Sequence, residues 1–125
     1  MKKKKGYEYA KYTKSDGESP ALYYIYSQLY EINYYLIIGQ EKKTRNYFPQ
    51  LEDHKFGDGL VFSSTKSKIV IWVNEKGNLD TFAHELVHVI SRTFDQRGIQ
   101  FDTENDEPAA YLMSWLFRSF YFAVK

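Results

Sequence analysis

The stretch ALYYIYSQLYEINYYLIIGQ, Ala21 to Gln40, carries two incompatible periodicities, and the choice between them decides what kind of domain the chain forms. Leu22, Ile25, Leu29, Ile32 and Leu36 recur at helical spacing, with Ser19 and Pro20 placed as N-cap and first helical residue and Gly39 as a stop. Against this stand the density of Tyr and Ile and the alternation of Ile32, Tyr34, Leu36 and Ile38, which is that of a strand. Downstream, GLVFSS, TKSK and IVIWV (Gly59 to Val73) read as two strands joined by a turn. A lone hairpin is only marginally stable, so a further strand is needed. That favours a strand over Tyr30 to Ile38 and leaves Ala21 to Ser27 open between helix and strand.

Ile69 to Val73 is apolar on both faces, so it is expected to lie covered within the sheet. The polar stretch from Glu41 to Leu51 can hold a short helix that Pro49 ends. A longer helix is expected from Leu79 to Phe94, capped by Asn78 or Asp80 and followed by a turn at Gly98. A last helix starts at Asp106 and Pro108 and, being apolar on nearly every side, is expected to be largely buried. The elements define an α+β domain: a small mixed β-sheet packed against these two helices.

Composition limits what such a domain can do. The 125 residues, 43% of them apolar and 18% aromatic, suffice for one core. The reading divides the chain into a basic segment, residues 1–20, expected to be flexible, and a single domain, residues 21–125. A formal net charge of +1 gives no cause to expect nucleic acid as a partner. The absence of cysteine excludes disulfides and thiolate metal sites and fits a reducing cytosol. Lys2 to Lys5 are followed by no apolar signal region, and no apolar run approaches the roughly 18 residues of a membrane span. A cytoplasmic protein with no membrane partner is expected.

The candidate chemistry lies in TFAHELVHVISRTFDQ, Thr81 to Gln96. At about 100° per residue, with His84 at zero, His88 falls near 40°. Leu79, Phe82, Ala83, Leu86 and Ile90 cluster near 220° as the core stripe. Neither histidine fills a gap in that stripe. Two imidazoles four residues apart on one face can direct a nitrogen each at a single point, as tetrahedral zinc requires of two of its ligands. Glu85, near 100°, stands beside that face, placed to act as a base on a metal-bound water without itself coordinating.

Catalytic zinc wants three protein ligands and an open position. The one other histidine, His54, lies in the polar stretch LEDHKFGDG and reads as a surface loop residue. Of the downstream acids Asp95, Asp102, Glu104, Asp106 and Glu107, the last is best placed, at the start of a helix and 19 positions beyond His88. A first-turn acid is also favoured electrostatically without any metal, so spacing leaves both readings of Glu107 standing.

HELVH followed by ENDEPAAYL resembles the zincin metallopeptidases of the glutamate-ligand branch, the gluzincins, and in particular the short single-domain forms of bacteria and bacteriophages. The likeness covers Gly59 to about Leu116. It implies a zincin-like fold, zinc held by His84, His88 and Glu107, Glu85 as the base that activates zinc-bound water, and a peptide or protein substrate paired with an edge strand of the sheet. Tyr111 stands where such proteins carry a second acid, four positions beyond the ligand glutamate. Tyr111 lies one turn beyond Glu107 and can stabilise the oxyanion of peptide hydrolysis, as can Arg92, Arg97 or Arg118. Asp95 or Asp106 can orient a ligand histidine. The implied activity is zinc-dependent peptide hydrolysis. The rival is a non-catalytic protein that keeps the shape for binding or phage assembly, for which an intact Glu85 has no use.

Overall fold

The computed structural model describes residues 9–13, 20–51, 54–74 and 79–125. In chain order the elements are β1 (Lys11–Thr13), β2 (Ala21–Ser27), β3 (Ile32–Ile38), α1 (Glu41–Tyr47), a 3-10 turn (Pro49–Leu51), β4 (Gly59–Thr65), β5 (Lys68–Val73), α2 (Leu79–Arg97) and α3 (Glu107–Val124). The contest within Ala21–Gln40 goes to the strand at both ends. β2 and β3 pair antiparallel, with Leu22 opposite Ile37 and Tyr24 opposite Tyr35. The helical set fails at Leu29, which falls in the connecting turn and is 82% exposed. Arg97, at the end of α2, ties that turn down by donating to the carbonyls of Tyr30 at 2.6 Å and Glu31 at 2.9 Å.

The sheet runs β1-β2-β3-β5-β4, antiparallel except where β3 meets β5 in parallel, which makes the domain α+β with a mixed five-stranded sheet. β1 lies within the segment expected to stay outside the domain. Ala10 beside it is buried, and its N–H donates to the carbonyl of Ser119 in α3. The ordered domain therefore begins before residue 21. Lys2 to Lys5 and the proposed caps Ser19 and Asn78 lie outside the described residues.

Alternation along the central strands sends side chains to two cores. Ile32, Tyr34 and Leu36 of β3, with Ile69, Ile71 and Val73 of β5, pack against Phe82, Leu86 and Val89 of α2 and Leu112, Leu116 and Phe120 of α3. Ile37, Val70, Trp72 and Phe62 face the other way, onto Leu51 and Phe56. β5 is thus covered on both faces, as its continuous apolar run required. Each fully buried Leu, Ile or Phe of this kind contributes roughly 1.5–3 kcal/mol. The polar atoms among them are matched. Trp72 Nε1 donates to the carbonyl of Gly39 at 3.1 Å, and the Tyr34 hydroxyl lies 2.8 Å from Thr93 Oγ1. Burial pushes the Tyr34 phenol up to about 12.

α1 ends at Tyr47 and Pro49 opens the 3-10 turn, in line with the expected stop. α2 runs one turn past Phe94. It closes at Gly98 (φ 66°), with Gly98 N–H on Asp95 and Ile99 N–H on Phe94, the paired bonds of a Schellman end. α3 corrects an expectation: it buries one face, through Leu112, Leu116, Ser119, Phe120 and Val124, while Tyr111 is 70% exposed. With only two helices on this face of the sheet, its outer side has nothing to pack against among the described residues. No helix among the described residues is long and apolar enough to cross a membrane.

Candidate metal centre

α2 lies across β4 and β5 and presents His84 and His88 to solvent, the side the angular count assigned to them. Their rings stand 5.3 Å apart at 67°. Nitrogens of both, together with a carboxylate oxygen of Glu85, come within 4.8 Å of one another. Two nitrogens on one tetrahedral zinc, each at 2.0–2.1 Å, are about 3.4 Å apart, a separation that falls inside the 4.8 Å within which these ligand atoms lie. The donor types and spacing fit zinc.

Glu85 stands beside the histidines, as its angle on the helix placed it, and is in addition buried, at 6% exposed. The buried arc of α2 reaches from Phe94 round to Glu85 because β4 leans on the helix there, and Gly59 makes that approach possible. A methyl group on Gly59 would stand 2.8 Å from Glu85 Cγ and 3.0 Å from Thr81 Cγ2. Gly59 was legible only as the first residue of a strand, although a glycine inside strand sequence is a recognised sign of close approach.

Glu85 and His88, with Ser91 and Arg92, form one wall of a cleft of about 420 Å³, and Gly59, Leu60 and Val61 form the other. β4 is the last strand of the sheet order, so the cleft runs along a sheet edge. Farther along the same interface, Ser63 of β4 receives hydrogen bonds from Gln96 Nε2 at 2.9 Å and Arg92 Nη1 at 3.4 Å. Nothing in the sequence pattern marked this link.

The other candidates lie apart from this cleft. Glu107 is the exposed first residue of α3 and is not one of the three side chains brought within 4.8 Å. Asp106 and Asp95 line a groove of about 590 Å³ between α2 and α3, which adjoins the histidine cleft at Ser91. Tyr111 lines a third cleft, with Pro108, Trp115 and the β2–β3 turn. His54 is exposed, between Leu51 and Phe56, whose side chains pack on the sheet face opposite α2. Of the three arginines weighed for the oxyanion, Arg97 is engaged by the β2–β3 turn, and Arg92 alone lines the cleft of Glu85 and His88. No protein-family model, curated protein or solved structure matches the chain.

The contact between Gly59 and Glu85 has a measurable consequence. Gly59→Ala is expected to displace the Glu85 side chain and destabilise the fold by about 1–3 kcal/mol, the usual effect of overpacking. Zinc binding should change little, since the three atoms nearest the added methyl belong to Glu85 and Thr81 and not to a histidine. Denaturant unfolding and metal titration of the variant check both parts, and zinc loss equal to that of a histidine variant would contradict the geometry.

Proposed function

We propose that the chain is a zinc metallopeptidase of zincin type that hydrolyses peptide bonds in the cleft between α2 and the edge strand β4. The observation that carries this reading is the convergence of His84, Glu85 and His88 within 4.8 Å, two of which, Glu85 and His88, line that cleft. His84 and His88 hold zinc, and Glu107, on the helix α3 that packs against α2, is the third ligand that the family resemblance assigns. Bound zinc supplies a Lewis acid that polarises the scissile carbonyl and lowers the pKa of water.

The remaining chemistry belongs to the chain's own residues. Glu85 takes a proton from the attacking water and passes it to the leaving amine, so the base becomes the acid within one turnover. Its burial against Gly59 fixes the side chain in one arrangement before substrate arrives, which is what positioning requires. β4 is an outermost strand of the sheet among the described residues, and its outer edge offers backbone N–H and C=O groups to an extended peptide. A peptide bound there lies against Glu85 and His88. Tyr111, in a different cleft, has no contact with this path.

Metal analysis tests the reading. Protein purified without chelator, or exposed to zinc afterwards, is expected to hold about one zinc per chain, the number one three-ligand site takes. It should also cleave members of a broad peptide library. Failure to retain or take up zinc rejects the proposal.

A further inference from the structure

Arg92 stands one helical turn beyond His88 and lines the same cleft as Glu85. Its one hydrogen bond among the described residues is the 3.4 Å contact to Ser63 Oγ, at the long limit for such a bond. No carboxylate of the described residues lies within 4.0 Å of it. A guanidinium offers five donors in a planar fork that matches a carboxylate. Linking β4 to α2 through one serine uses little of that capacity, and Gln96 makes the same link with a shorter bond.

Placement adds direction. Gly59 of β4 sits against Glu85, and Ser63, four residues on, sits beside Arg92, so β4 and α2 run alongside each other in the same sense. A peptide lying along the edge of β4 therefore passes from the base to the guanidinium. Four helical residues separate His88 from Arg92, a rise of about 6 Å, or roughly two residues of extended chain.

Resting on the metallopeptidase reading, we propose that Arg92 anchors a carboxylate of the bound peptide, roughly two residues from the bond that is cleaved, so that the site selects acidic substrates. Antiparallel addition to β4, the commoner pairing, places the carboxylate on the N-terminal side of that bond, where a side chain must supply it. Parallel addition places it on the C-terminal side, where the chain's own terminus can supply it as well.

The test is an NMR titration of the Glu85→Gln protein, which binds without cleaving, in zinc-loaded and metal-free forms. The probes are three acetylated alanine-based hexapeptides with Phe at the fourth position. One carries Glu at the second position and an amidated end, one carries Gln there and an amidated end, and one carries Gln and a free C-terminal carboxylate. Affinity is read from the backbone amides of Gly59 and Val61. The Glu peptide is expected to bind about tenfold more tightly than its Gln counterpart, as a charge-assisted pair should. Adding Arg92→Gln should erase the difference, and Arg92→Lys should restore part of it, because charge returns without the fork. Preference for the free-terminus peptide, also lost in Arg92→Gln, supports the same anchor with the chain end as its source. Equal binding of all three peptides, or a preference that survives Arg92→Gln, overturns the proposal. Zinc uptake without any peptide preference removes the anchor alone, whereas a preference without zinc uptake supports the anchor and removes the metallopeptidase reading alone.

Discussion

Glu85→Gln should leave zinc content and fold intact while peptide hydrolysis falls by at least the roughly 10²–10⁴-fold that a positioned general base contributes. Glutamine has the shape of glutamate and fills the same space against Gly59 and Thr81. It cannot accept the proton. A volume-conserving change of this kind is expected to alter stability by about 1 kcal/mol or less. Stability here survives because the replacement refills a buried site, not because the residue lies outside the core. Metal content, thermal unfolding and turnover are separate measurements on one sample. Cleavage that persists in the variant rejects Glu85 as the base. A zinc-loaded wild type that cleaves nothing in a broad library, yet binds a partner equally well with and without the substitution, would instead favour a binding module.

How far the sequence led depends on which forces set each feature. The two central strands were legible because Ile69–Val73 is apolar throughout and Ile32–Ile38 alternates, patterns set by the residues' own burial. β1 was not legible: three residues, KYT, gain their place from pairing with β2 and from Ala10 beneath α3, which are long-range contacts. Likewise, the angular count put both histidines on the solvent face of α2, because a helix turns at a constant rate. It put Glu85 beside them but did not give its burial, because whether a side chain at the margin of the apolar stripe is covered depends on how closely another element approaches. Here a glycine 26 positions earlier in the chain decides it. The outer face of α3 errs in the opposite sense. Its aromatic content suggested burial on every side, but Tyr111 and Tyr121 remain at the surface.

The ligand set is the place where family resemblance and geometry can be separated. Glu107→Gln is expected to weaken zinc binding by more than the roughly 10–100-fold lost when a residue that merely orients a ligand is removed. The fold should be retained, since Glu107 is exposed at the first turn of α3. His54→Ala should leave zinc affinity unchanged, because its chain neighbours Leu51 and Phe56 pack on the sheet face away from α2. Asp106→Asn is the informative control. Asp106 lines the groove that meets the histidine cleft at Ser91, and it adjoins Glu107 in the chain. If it only orients or flanks the site, its loss should cost less affinity than that of Glu107. Competitive zinc titration with a chromophoric chelator ranks the three variants directly. Should Asp106→Asn strip the metal while Glu107→Gln retains it, the third ligand is the residue that faces the groove, and the resemblance to the glutamate-ligand branch fails at that position. Loss of zinc in His54→Ala alone would place the metal on the opposite side of the sheet from α2, an outcome incompatible with the two histidines of α2 as its ligands.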